Sequence, residues 1–228
     1  MAEVRRVVAA SLATWSDLDC PNGKASIGYR QLADVQCNAP AYNEDSANAN
    51  VVVFRDDDWP YQGTDNTLAF TTVTFDPPTG NILGADVEIN TAYNILTTAD
   101  DAVVYDLQSI LTHELGHGLG LGHSSEPTAT MNAVYERGDT SIRMLAPDDV
   151  AAICAAYPPE RKAACDPTPH GGFATECTVA APDFGTKKSA CTASPTPPAS
   201  GTPLVALGLG VALAGLRTRT RRGIAAPR

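Results

Sequence analysis

The stretch HELGHGLGLGH, residues 113–123, decides how this chain is interpreted. On a helix, His113 and His117 lie one turn apart and point the same way, so both imidazoles can bind one metal ion. Glu114 directly follows the first of them, where its carboxylate can reach a water on that metal. His123 can supply a third ligand if the chain turns sharply after the helix. The spacing therefore predicts a metal site with a carboxylate beside it.

Three of the four histidines in the chain fall in this stretch, which favours a metal site over a helix with surface or core histidines. Gly120 permits the positive φ that a sharp turn needs. Three protein ligands and an open fourth position are typical of catalytic zinc. The alternatives are a module that binds protein without cutting it, and a surface protein whose zinc is structural, which would need four protein ligands.

The stretch matches HExxHxxGxxH, the signature of the metzincin metallopeptidases, and its surroundings resemble the matrixin group, to which the matrix metalloproteinases belong. The residues that carry the narrower resemblance are Ser124, Met131 in TATMNAVY, Tyr135, and Asp148 and Asp149 at the start of a last helix. The resemblance covers roughly residues 3–158.

This resemblance implies a zinc-dependent endopeptidase with an α+β, zincin-like fold: a mixed twisted sheet, an active-site helix and a C-terminal helix. The zinc ligands that it implies are His113, His117 and His123. It makes Glu114 the general base and gives Gly120 and Met131 structural roles around the site. Tyr135 either shapes the pocket for the residue after the cut or is a packed aromatic. The substrate would be a protein or peptide.

The chain also departs from the matrixin pattern. Ala133 stands where matrixins usually have a proline, which alters the pocket wall next to Tyr135. No histidine precedes His113, so the family's second, structural zinc site looks absent. No cysteine-switch propeptide is visible. The first strand expected before the N-terminal helix is also missing, which suggests a start codon placed too far downstream.

Hydrophobic periodicity predicts the main elements. Residues 3–15 read as a helix rather than as a poor signal peptide. The predicted strands are 51–54, 68–75 and 82–90. In the last of these, apolar residues alternate with Asp86, Glu88 and Asn90, which predicts one wet face, and the resemblance makes it the sheet edge that binds substrate. A long helix is predicted from near Thr98, and a last helix over 147–157.

The domain prediction is a peptidase domain over 1–158, a Pro/Ser/Thr-rich stalk over 159–202 and a tail over 203–228. The tail has a short apolar run followed by four arginines, and it resembles bacterial surface-sorting tags of the myxobacterial type. This predicts membrane contact through the C-terminal segment and a secreted or cell-surface location. A short buried helix is the alternative. Cys191 is either the processing or lipid-attachment residue or a disulfide partner of Cys177.

Charge and cysteines bound the remaining choices. Residues 1–160 carry 23 acids and 7 bases, which argues against nucleic acid as a partner.

Six cysteines at wide spacings suit disulfides, with Cys20–Cys37 as the favoured pair and reduced buried thiols as the alternative. The run Asp56–Asp58, like Asp86 and Glu88, is either a calcium site or a solvated strand end. We expect a monomer.

Overall fold

The computed structural model describes residues 2–61, 67–161 and 168–177, and within them the fold is α+β with a mixed sheet, as predicted. The helices are α1 (Ala2–Ser16), α2 (Leu107–Gly118) and α3 (Pro147–Ala156), with a 3₁₀ turn at Ser141–Arg143. The strands are β1 (Asp19–Cys20), β2 (Gly23–Lys24), β3 (Val52–Phe54), β4 (Ala69–Asp76), β5 (Asn81–Ile89), β6 (Leu96–Thr97) and β7 (Tyr105–Asp106).

The main sheet is mixed and has the order β3-β5-β4 among the described residues. β3 runs parallel to β5 and β4 runs antiparallel to it. The three predicted strands are therefore confirmed to within one residue at each end. The predicted edge strand over 82–90 is wrong, because it corresponds to β5, which pairs on both sides. The antiparallel edge of the sheet is β4.

The wet face predicted for β5 is also wrong, because its polar residues are buried. Two backbone N–H groups from the 41–51 segment bind Asp86. Arg55 donates its Nε–H to Glu88 at 2.6 Å and neutralises its charge. Asn90 donates to the carbonyl oxygen of Thr67 at 2.8 Å. Polar residues can alternate along a buried strand when each has a specific partner, and period 2 alone does not distinguish that case from a solvated face.

The predicted helices at the two ends of the domain are confirmed as α1 and α3. α1 packs against α2 and buries Val7, Ser11 and Trp15. Trp15 donates its indole N–H to the carbonyl oxygen of Thr112 at 2.9 Å. This contact fixes the first helix against the middle of α2.

The predicted start of the long helix at Thr98 is wrong, since α2 begins at Leu107. Its N-cap is Asp106, whose carboxylate accepts the backbone N–H of Ser109 at 2.8 Å. The two-residue strands β6 and β7 pair in parallel, which places 98–104 in the loop that connects them. A tertiary pairing therefore overrides a favourable capping sequence.

The disulfide prediction is wrong as well. The bonds are Cys20–Cys154 and Cys37–Cys177, which also excludes reduced thiols at these four residues and a bond between Cys177 and Cys191. The β1–β2 hairpin packs against the end of α3, where Ser26 N–H bonds to the carbonyl oxygen of Tyr157 at 3.0 Å. That packing brings Cys20 to α3 and away from Cys37. Cys165 and Cys191 lie outside the described residues.

Residues 168–177, which belong to the predicted stalk, pack along the segment 36–48. Bridges join Gln36 to Glu176 and Asn48 to Phe173. His170 is half-buried, and its Nε2 lies 2.7 Å from the carbonyl oxygen of Glu44. The predicted tail over 203–228 lies outside the described residues. Among those that are described, no helix has the length and apolar character to span a membrane.

Candidate active site

Helix α2 and the turn that follows it bring three histidines to one point. His113 and His117 lie one turn apart on α2, which ends at Gly118. Gly120 has φ +89°, a conformation that glycine adopts without strain, and it redirects the chain so that His123 returns to the helix. The Nε2 atoms of His113 and His117 are 3.1 Å apart, as are those of His117 and His123.

Backbone carbonyl groups orient two of these rings. The Nδ1 of His113 lies 2.6 Å from the carbonyl oxygen of Thr130, and the Nδ1 of His117 lies 2.8 Å from that of Leu121. A carbonyl oxygen only accepts, so Nδ1 donates in both cases and Nε2 keeps its lone pair. Burial lowers the pKa of all three imidazoles, to about 3 for His113. The neutral form is the one that binds metals.

The triad fits a zinc ion. Two nitrogens that each lie roughly 2.0–2.1 Å from zinc in a tetrahedral arrangement are about 3.3 Å apart, close to the 3.1 Å found here. Three lone pairs facing one another without a cation would repel. Within the described segments, this triad is the one group of three or more metal-binding side chains whose ligand atoms converge, all lying within 4.8 Å. A calcium site at Asp56–Asp58 therefore stays a prediction.

Glu114 is the charged group closest in sequence to the triad, and it is fully buried. Its Oε2 accepts a hydrogen bond from the hydroxyl of Thr71, on the edge strand β4, at 2.5 Å. Its Oε1 has no hydrogen-bond partner among the described residues. Burial raises the pKa of this carboxyl to about 8. In its ionised form this carboxyl is therefore a stronger base than an exposed glutamate, and Oε1 can take up a proton from a neighbouring group.

Met131 packs against Gly116 of α2, the helix that carries two of the three histidines. Met131 is buried and its sulfur packs against Gly116, which lies between the two helical histidines. The backbone N–H groups of Thr130 and Met131 donate to the carboxylate of Asp149 on α3, at 2.7 and 3.0 Å. The turn that carries the Thr130 carbonyl is thus held by α3.

Tyr135 is both packed and next to the site. Its hydroxyl accepts the backbone N–H of Asp106 at 2.9 Å and donates to the carbonyl oxygen of Asp139. Its ring also lines a small recess beside Glu114, which we call the Glu114 recess. The residues that line this recess are Leu68, Ile110, His113, Glu114, Asn132, Tyr135 and Ile142.

Sequence reasoning missed two residues of the site. Thr71 and Thr72 are consecutive residues of β4 with side chains on opposite faces, and nothing in the sequence shows which of the two reaches Glu114. Asp149 stood out only as a residue at a helix start, although it also anchors the turn at Thr130. A groove of about 510 Å³ between α1, the segment 26–37 and β3 lies away from the triad, and none of the three histidines lines it.

Comparison with known proteins agrees with this geometry. The family model described as Matrixin matches residues 41–158, just over half of the chain. Human matrilysin is 38% identical over 101 residues, which are 44% of this chain and 35% of matrilysin. Matrix metalloproteinase-18 of Xenopus laevis is 28% identical over 156 residues, 68% of this chain and 29% of the relative. Human neutrophil collagenase is 33% identical over 118 residues, 50% and 24% of the two chains. The chain therefore spans only about a quarter to a third of the length of these relatives.

Proposed function

The chain belongs to the matrixin family, and from that premise we propose that it is a zinc-dependent endopeptidase that hydrolyses peptide bonds in proteins. His113, His117 and His123 are the proposed zinc ligands, and Glu114 is the proposed general base. One observation carries the proposal: three imidazole Nε2 atoms converge beside a buried glutamate, one oxygen of which has no hydrogen-bond partner in the described part of the chain.

A zinc ion at the triad would supply Lewis-acid chemistry at its open fourth position. Glu114 takes a proton from the attacking water at Oε1 and passes it to the leaving amine. Thr71 donates its hydroxyl to the other carboxylate oxygen, Oε2, and so restricts the rotation of the carboxyl group. The carbonyls of Thr130 and Leu121 hold two of the rings in the tautomer that a metal ligand requires.

The edge strand β4 is the proposed binding surface for the substrate backbone. Among the described residues it pairs with β5 on one side only, so an extended peptide can add to its other side by β-augmentation. The hydroxyl of Thr71, on β4, donates a hydrogen bond to Glu114, so this edge strand lies beside the proposed general base. A peptide lying along β4 would carry its backbone past the triad.

Two disulfides and family membership support a secreted protein. Cell-surface anchoring through 203–228, with Cys191 as the processed residue, is the finer proposal. The domain division at 158 and 202 and the monomeric state belong to the same proposal. A catalytically silent binding module is the rival, and it is disfavoured because Glu114 and all three histidines are retained.

The test is cleavage of casein and of a broad peptide library by the purified full-length chain, with its zinc content measured. Wild type should cut, a zinc chelator should abolish cutting, and added zinc should restore it. Glu114→Gln should bind zinc but lose at least about 1,000-fold in rate, because the general base is removed. Glu126→Gln, an exposed glutamate near the site, is the matched control and should cut normally. A zinc-loaded wild type that cuts nothing would overturn the proposal in favour of the binding module.

A further inference from the structure

The Glu114 recess is almost filled by the protein's own side chains. Its volume is about 10 Å³, roughly the room that one water molecule needs. Apolar side chains of Leu68, Ile110 and Ile142 form much of its wall. A side chain that enters beside Glu114 therefore meets a small apolar space.

The far wall of the recess comes from the segment 135–143, which includes Tyr135 and Ile142. Ile142 lies in the 3₁₀ turn and is 9% exposed. It packs in the same core cluster as Leu68 and Ile110. The hydroxyl of Thr130 holds the backbone there, lying 3.3 Å from the carbonyl oxygen of Ile142.

Both ends of this segment are fixed to one residue, Asp106. At one end, the hydroxyl of Tyr135 accepts the backbone N–H of Asp106 at 2.9 Å. At the other end, Arg143 donates from Nε and Nη2 to the two carboxylate oxygens of Asp106, at 2.7 and 2.6 Å. Asp106 is itself fully buried and caps α2, the helix that bears His113 and Glu114.

This arrangement joins the recess wall to the active-site helix. The guanidinium and carboxylate form a planar, two-point pair, which fixes orientation as well as distance. Arg143 also reaches Asp100 with its third nitrogen, at 2.6 Å. Asp106 is fully buried and the Arg143 side chain is mostly covered, so a movement of 135–143 away from α2 would disrupt this pair.

Resting on the proposed endopeptidase function, we propose that Ile142 limits the Glu114 recess to the smallest side chains, so that this enzyme prefers substrates with glycine or alanine next to the scissile bond. Arg143 acts as the positioning residue that keeps Ile142 in place. Adding even one methylene to a filled apolar pocket changes relative rates by about 10-fold or more, so the preference is measurable.

The experiment uses the zinc-loaded full-length chain and peptides that differ only in one residue beside the cut: glycine, alanine, valine, leucine or phenylalanine. Each side of the scissile bond is varied in turn. Wild type should cut the alanine peptide at least about 10-fold better, in kcat/KM, than the leucine and phenylalanine peptides. Ile142→Ala should reduce that ratio at least 10-fold or reverse it. Ile95→Ala removes an equally large but 68% exposed side chain and should leave the ratio unchanged.

Arg143 is tested by the same ratio, which a general loss of stability would not change. Arg143→Ala should relax the preference for alanine and raise KM for the alanine peptide, while Arg143→Lys should restore part of the preference. If Arg143→Ala does not fold, Arg143→Lys and Ile142→Val provide the milder changes. A wild type that cuts peptides but prefers leucine or phenylalanine would overturn this inference and leave the endopeptidase intact. A wild type that cuts no peptide would overturn both.

Discussion

The carbonyl oxygen of Thr130 accepts the Nδ1–H of His113 at 2.6 Å, so a buried turn fixes the ring of a proposed metal ligand. The N–H of the same Thr130 donates to Asp149 at 2.7 Å. Asp149 also accepts the N–H groups of Met131 and Ala146. One carboxylate on α3 therefore organises the backbone that orients His113.

Asp149→Asn should weaken zinc binding, because the amide can accept at only one of its two terminal atoms. We expect zinc affinity to fall up to about 10-fold and the free energy of unfolding to fall by roughly 1–3 kcal/mol. Competition with a chelator of known affinity and urea unfolding measure the two effects. Asp148→Asn is the matched control, since Asp148 is exposed and accepts from Ser124. Equal zinc affinities for both variants would show that Asp149 does not act on His113.

Thr71 should contribute to the rate of peptide hydrolysis but not to zinc binding. Thr71→Val removes the hydroxyl that donates to Glu114 and leaves a buried carboxylate without that hydrogen bond. Loss of one hydrogen bond to a charged group predicts a fall of about 10-fold in kcat/KM. Thr71→Ser keeps the donor, and Thr72→Val alters the opposite face of β4, so both should cut nearly as well as wild type. A Thr71→Val variant with unchanged kcat/KM and zinc content would exclude this role.

The parts of the site that could be predicted are those set within a few residues of one another. Helical spacing and a single glycine turn bring His113, His117 and His123 together. Partners far apart in the sequence could not be predicted, because nothing local marks them. Cys20 pairs with Cys154, 134 residues away, rather than with the nearer Cys37.

Two errors in the predicted elements have a common physical origin. Thr98 and Asp106 both suit the start of a helix, and the pairing of β6 with β7 selects Asp106. Glu88 alternates with apolar residues as a solvated residue would, but Arg55 allows it to be buried. In both cases a contact with a residue outside the local segment selects one of two structures that the local sequence favours equally.

Asp86 should make folding stability depend on pH. Burial raises the pKa of its carboxyl to about 6 from an ordinary value of 3.8. The folded state therefore holds this proton more tightly, so the stability that it contributes is complete below about pH 4 and is lost as pH rises through 6.

Asp86→Asn should remove this dependence. Between pH 5 and 7, the stability of wild type relative to the variant should fall by on the order of 1 kcal/mol. The variant should also be less stable at every pH, because an amide cannot accept from both Val51 and Ala41. Urea unfolding at several pH values gives the difference, with the exposed Asp45→Asn as control. A constant difference across this range would contradict the raised pKa.

The disulfide Cys20–Cys154 should be a major source of stability. It closes a loop with a sequence separation of 134, and the overlapping bond Cys37–Cys177 shortens the effective loop to about 40 residues. Chain-entropy reasoning then predicts a loss of roughly 4 kcal/mol when both cysteines become serine. Urea unfolding under non-reducing conditions measures it. A loss below about 1 kcal/mol would mean that the unfolded chain is already restricted around this bond.

Gly116 should be intolerant of a side chain, although it lies inside a helix. Helix propensity alone predicts that Gly116→Ala gains about 1 kcal/mol. A Cβ there would overlap the sulfur of Met131 and lie 2.8 Å from Cζ2 of Trp15, and both neighbours are buried. We expect a loss of about 1–3 kcal/mol in the free energy of unfolding, together with weaker zinc binding, because the strain lies between His113 and His117. Gly118→Ala is the matched control: its Cβ would lie 3.4 Å from that of Ala85, an ordinary contact, so it should be neutral or slightly stabilising. If both variants were stabilised alike, Met131 would not pack tightly beneath the helix.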